Sequence, residues 1–144
     1  VNSGEVLAMV SLPDFNPNVP GKRADGTAYT TANDDGSRFN RVTLGGYELG
    51  STFKAFTIAT ALETGVLTNL QKQYDATRPL EVAGFRIRDD HAKNRWLTVP
   101  EIFIYSSNIG TARMAVEVGR ERQREFLDKL GFLKPVEFEL KEKT

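Results

Sequence analysis

The chain has 144 residues, 40% of them apolar and 26% charged, with zero formal net charge; this fits one globular domain able to bury a core. Zero net charge provides no field toward nucleic acid or an anionic membrane. The absence of cysteine excludes disulfides, thiolate catalysis and cysteine-based metal sites. No apolar run reaches the roughly 20 residues that cross a bilayer. The chain opens on Val1 with no signal-peptide pattern, and reads as a piece of something longer.

Gly4–Leu12, GEVLAMVSL, is apolar at most positions and closed by Pro13, the pattern of a strand buried on both faces. Such a strand needs neighbours on its edges, and these are expected outside this chain. From Pro13 to Gly50 the density of Asn, Asp, Gly, Pro and Ser predicts a long loop, a length usually reserved for function or disorder.

Ser51–Thr64, STFKAFTIATALET, predicts a helix. Ser51 suits its N-terminus, Phe53, Phe56, Ile58, Ala59 and Leu62 supply an apolar side, and Gly65 stops it. Pro79–Asp89 alternates around Ala83–Gly84 and predicts a small hairpin. Thr98–Glu101, TVPE, has capping-box spacing with Pro100 in the first turn, so a helix runs from there to about Tyr105. A further helix is expected from Asn108 or Ile109 to Val118, ended by Gly119. Arg120–Leu130 should form the next, with Phe126, Leu127 and Leu130 buried and Gly131 as its stop. The basic residues of Arg113–Arg124 are interleaved with acids and read as a solvated face. Trp96 and Phe103 read as core. The tail from Val136 to Thr144 is rich in Lys and Glu, with no repeat or low-complexity segment anywhere.

Chemistry concentrates in two places. Ser51 and Lys54 stand at i and i+3, close enough on a helix for Nζ to reach Oγ. A serine hydroxyl needs a base, and a desolvated lysine can be neutral and act as one. Free N–H groups at a helix start also favour a developing oxyanion. Alone this is weak, since S-x-x-K arises by chance in about one of two chains this long. The second place is Tyr105–Gly110, YSSNIG, where Ser106 and Asn108 can relay a proton and hold an amide, or can simply cap a helix. His91, beside Asp89 and Asp90, lacks ligand spacing from a second element, which favours a loop hydrogen-bonding role over a metal.

Together, S-x-x-K on a helix followed by S-x-[ND] is two-thirds of the set used by penicillin-binding proteins and class A β-lactamases. The sequence resembles the transpeptidase domain of class B penicillin-binding proteins, most closely the division-specific septal branch. The resemblance runs through GEVLAMVSLPDFNPN, NRVTLGGYELGSTFKAFTIATALETG, LTVPEIFIYSSNIGTARMA and FLDKLGF.

It implies an α+β fold of the penicillin-binding-protein and serine β-lactamase type, present in part: one sheet strand plus most of the helical subdomain. The chain would be the N-terminal part of a single domain, with strand and loop over 1–50, the nucleophile helix over 51–65, a loop with hairpin over 66–97, helices over 98–131 and a charged tail over 132–144. The implied reaction is D,D-transpeptidation of D-Ala–D-Ala stem peptides. In it Ser51 is the nucleophile and a backbone oxyanion donor, Lys54 the base, Ser106 the proton relay and Asn108 the substrate anchor.

No metal or organic cofactor is implied. The implied partners are peptidoglycan stem peptides, β-lactams, the rest of the same domain and division-complex membrane proteins, without nucleic acid. The implied location is the periplasmic face of the bacterial inner membrane, with an anchor outside this chain. The family's Lys-Thr-Gly motif is absent; Lys143–Thr144 does not match it, because the family places far more chain before that motif. The fragment alone is therefore expected to be inactive. A D,D-carboxypeptidase, a serine β-lactamase and a penicillin-sensing or structural module are the alternatives.

Overall fold

The computed structural model describes residues 3–136; the Lys/Glu-rich tail and the Lys143–Thr144 pair lie outside the described residues. Two compact units form, one up to Glu48 and the other from Leu49 onward.

The first unit contains turns and one isolated bridge, Lys22 to Ala28. Polar contacts organise it. Arg23 pairs with Asp35 at 3.4 Å, Arg38 pairs with Asp34 at 3.1 Å, and the Arg38 guanidinium lies 4.5 Å from the centre of the Tyr29 ring. The strand expected over Gly4–Leu12 is not formed: no ladder joins it to another described segment, and Leu7 is 93% exposed. Its nearly continuous apolar run has neither a ladder nor a facing layer among the described residues, and a strand buried on both faces requires both.

The second unit combines helices with small antiparallel ladders. A 3₁₀ turn over Gly50–Phe53 leads into α1 (Lys54–Glu63). Four short strands follow, β1 (Gln73–Asp75), β2 (Leu80–Val82), β3 (Phe85–Ile87) and β4 (Trp96–Thr98). Then come α2 (Val99–Ile104), α3 (Asn108–Val118) and α4 (Arg120–Lys129). The expected hairpin is β2–β3, with Ala83 at φ 49° and Gly84 at φ 80°; positive φ at both central residues suits the strand twist. The β1–β4 ladder, pairing Tyr74 with Leu97, was not foreseen, since three-residue strands so far apart carry too little periodicity to read.

The core gathers Ala61 of α1, Tyr74, Leu97, Val99 and Ile102 of α2, and Ile109, Met114 and Val118 of α3. Its composition corrects several expectations. On α1 the buried residues are Thr57, Thr60 and Ala61, while Leu62 is 46% exposed. Small side chains let α1 lie close to α3, and the Thr60 hydroxyl donates to its own helix at Phe56 O, 2.6 Å away, so its burial leaves no unpaired donor. Trp96 is 54% exposed, because on β4 it shares a face with Thr98, opposite the buried Leu97. Phe103, also 54% exposed, sits about 100° round α2 from Ile102. Phe126 and Leu127 are only half-buried and Leu130 is exposed, so α4 is a largely solvated helix.

The capping box at Thr98 is complete. Glu101 N donates to Thr98 Oγ1 at 3.5 Å and Thr98 N donates to Glu101 Oε2 at 2.9 Å. The Arg95 guanidinium at 2.7 Å and the Thr98 N–H hold the Glu101 carboxyl down to about 2. A folded-state value below the unfolded one means that the contribution to α2 is full above the ordinary carboxylate range and is lost as pH falls through about 2. An NMR titration of the Glu101 side chain is therefore expected to show its midpoint near that value; an ordinary glutamate midpoint would contradict the box.

Candidate active site

The chain enters α1 through Gly50, whose φ of 57° lies in the left-handed region that glycine tolerates. The 3₁₀ turn that follows nearly eclipses positions i and i+3. Ser51 lies in that turn and Lys54 at its end, so Lys54 Nζ stands 3.1 Å from Ser51 Oγ. The Ser51 N–H belongs to the first turn, where backbone donors have no intrahelical acceptor.

The opposite wall is the turn between α2 and α3. α2 closes with Tyr105 N donating to Glu101 O and Ser106 N to Phe103 O. Ser106 then takes φ 52°, the left-handed region unusual for a side-chain-bearing residue. That conformation presents both its carbonyl and its hydroxyl to Lys54. Nζ lies 2.6 Å from Ser106 O and 2.8 Å from Ser106 Oγ, and Ser106 Oγ lies 3.1 Å from Ser51 Oγ. Ser51, Lys54 and Ser106 thus form a closed ring of hydrogen bonds across more than 50 residues of sequence.

The capping alternative for the SSN turn is also realised, but by the residue between the two candidates. Ser107 is the N-cap of α3; its hydroxyl accepts from Gly110 N at 3.0 Å and is buried. This division of labour leaves the Ser106 hydroxyl for the ring. Asn108 is not in the ring: its Nδ2 donates to Arg88 O at 2.8 Å, joining α3 to the segment after β3.

Burial pulls the Lys54 ammonium below the ordinary lysine value, while the carboxylates of Asp89 and Asp90 pull it back up. The net direction is down, toward the neutral amine. As a neutral amine, Nζ has two donors and one lone pair. It can then accept the Ser51 hydroxyl proton while donating to Ser106 O and Oγ, with Ser106 Oγ–H donating to Ser51. Every member of the ring is satisfied in that state.

Two residues of the site escaped the sequence reading. Asp89 accepts from Ser107 Oγ at 2.8 Å and from Ile109 N at 2.9 Å. Ser107 carried a readable signal, serine being a leading N-cap residue. Asp89 carried none, because its partners are 18 and 20 residues away and no helical or strand period links them. Among the described residues, no cluster of His, Asp or Glu could hold a metal ion and no helix is long and apolar enough to cross a membrane.

Comparison with known proteins finds a family and relatives along the chain. The chain is 42% identical, over 99% of its length, to a probable peptidoglycan D,D-transpeptidase FtsI of Caulobacter vibrioides, of which it covers 22%. It is 33% identical over 90% of its length to a probable peptidoglycan D,D-transpeptidase PenA of Neisseria gonorrhoeae, covering 20% of that protein. To the peptidoglycan D,D-transpeptidase FtsI of Escherichia coli K12 it is 34% identical over 81% of its length, covering 18%. The chain thus spans about a fifth of the length of these relatives. Residues 1–144 match the family described as the penicillin binding protein transpeptidase domain. With that match over its whole length, and with helices and small antiparallel ladders forming part of an α+β fold, the chain belongs to the penicillin binding protein transpeptidase domain family.

Proposed function

We propose that this chain is the N-terminal part of the catalytic domain of a peptidoglycan D,D-transpeptidase acting in cell-wall synthesis at division. The observation that carries the reading is the Ser51–Lys54–Ser106 ring, with a nucleophile candidate and a base candidate 3.1 Å apart. The names of the relatives support the same reaction class.

Ser51 Oγ attacks the carbonyl carbon of the penultimate D-alanine as neutral Lys54 takes its proton. The oxyanion forms beside the Ser51 N–H. Ser106, bonded to both groups, relays the proton held by Lys54 to the nitrogen of the departing D-alanine, which returns Lys54 to the neutral amine, and the C–N bond breaks to leave an acyl-enzyme. An amine of a neighbouring stem then attacks the ester, forming the cross-link and returning the proton to Ser51. Asn108 is the anchor for the substrate amide, through the carboxamide oxygen that its bond to Arg88 leaves available. A β-lactam enters the same path because its strained amide resembles the D-Ala–D-Ala terminus, and it forms an ester with Ser51.

The remaining strands, a Lys-Thr-Gly motif, a membrane anchor and contacts with division-complex membrane proteins are assigned to parts of the protein outside this chain. The working location is the periplasmic face of the inner membrane. The test is to acylate the full-length protein with a fluorescent penicillin and map the labelled peptide. A stable label on Ser51 is expected, and the 144-residue chain alone should stay unlabelled. Label on another residue removes the serine assignment, and rapid hydrolysis of the drug indicates a β-lactamase instead.

A further inference from the structure

Asp89 is the half-buried carboxylate that joins the end of the β2–β3 hairpin segment to the start of α3. Its two oxygens take separate donors, the Ser107 hydroxyl at 2.8 Å and the Ile109 N–H at 2.9 Å. Ser107 is thereby held from both sides, since its oxygen also accepts from Gly110 N at 3.0 Å. One peptide bond before it stands Ser106, in a left-handed conformation and bonded to Lys54 through both carbonyl and hydroxyl. A backbone held in that region relaxes unless its neighbours fix it, and the fixed neighbour here is Ser107.

We infer that Asp89 is a positioning residue for acyl transfer: by bonding Ser107 and Ile109 it holds the turn that presents Ser106 to Lys54 and Ser51. The inference rests on the serine mechanism proposed above. A purely capping role would support the fold and leave the reaction of folded protein unchanged. A positioning role makes the reaction rate depend on these two bonds, because displacement of a reacting group by about 1 Å can cost about 10²-fold.

Asparagine at this position keeps an acceptor oxygen at only one of the two places where Asp89 has one and turns an NH2 group toward the other partner, so at most one of the two donors keeps its acceptor in this geometry. The carboxylates acting on Lys54 are Asp89 and Asp90, so removing a charge also moves the pH at which the amine becomes neutral. The discriminating quantity is therefore the plateau rate of penicillin acylation at high pH, where Lys54 is neutral in every variant.

In the full-length protein, Asp89→Asn is expected to lower that plateau about 10–100-fold while the fold, followed by thermal unfolding, persists. Asp90→Asn, which removes a charge but neither bond, is expected to stay within about twofold of wild type and to shift only the acid limb toward lower pH. A wild-type plateau in Asp89→Asn, or an equal fall in Asp90→Asn, overturns the inference. Should Asp89→Asn not fold, Asp89→Glu is read on the same plateau: it keeps the charge but misplaces the oxygens, and a wild-type rate again overturns it. If wild-type protein is not labelled at Ser51, the underlying reading fails first, and with it this inference.

Discussion

Lys54→Ala is expected to slow acylation of Ser51 by penicillin by about 10²–10⁴-fold, the contribution of a positioned general base. The alanine removes every ring contact made by Nζ at 2.6–3.1 Å and, among the described residues, leaves the serine hydroxyl bonded only to Ser106 Oγ. Lys54→Arg should do no better, because a guanidinium keeps its proton at any working pH. The wild-type pH profile carries the sign of the environment. Burial favours the neutral amine more than Asp89 and Asp90 favour the ammonium. Acylation should therefore rise with pH and reach half its plateau below the pH at which a free lysine loses its proton. Stopped-flow acylation across pH checks both points. A Lys54→Ala variant that acylates at the wild-type rate would mean that another group takes the proton.

The second large effect is on stability. Gly110→Ala should destabilise the second unit by about 1–3 kcal/mol, the usual range for overpacking. Alanine is the better helix former by about 1 kcal/mol, so sequence propensity points the other way. Geometry reverses it: a Cβ at this position would lie 2.6 Å from Ile102 Cγ1 and 2.8 Å from its Cδ1. Ile102 is fully buried between α2 and α3 and has no solvent to turn into. The same atom would sit 3.2 Å from Ser107 Oγ, pressing on the cap that Asp89 holds. Urea unfolding should show a lower midpoint, and a gain in stability would show that α3 can shift without cost.

The helices were legible because their ends carry local chemistry. Thr98, Pro100 and Glu101 fix the start of α2 within a few residues, and Gly65 and Gly119 punctuate α1 and α3 at positive φ. The faces were less legible. The buried side of α1 includes Thr57 and Thr60, the latter bonded back to its own helix, which apolar periodicity does not reveal; of the apolar residues it does point to, Ile58 packs partly buried against the core while Leu62 is exposed. Gly4–Leu12 has the composition of a strand, but composition alone provides no partner. At the site, the spacing of Ser51 and Lys54 was readable because i and i+3 meet within one turn. That Ser106 joins them, and that Asp89 steadies it, depends on contacts between distant segments, to which periodicity is blind.

The left-handed backbone at Ser106 has one more implication. Every bond that Ser106 makes to Ser51 and Lys54 crosses from a distant part of the chain, so the 3₁₀ turn and α1 in isolation carry the serine and the lysine but only a fragment of the reactive arrangement. Reactivity then behaves as a gauge of docking: a slight loosening of the interhelical seam would silence the serine while each helix kept its circular dichroism.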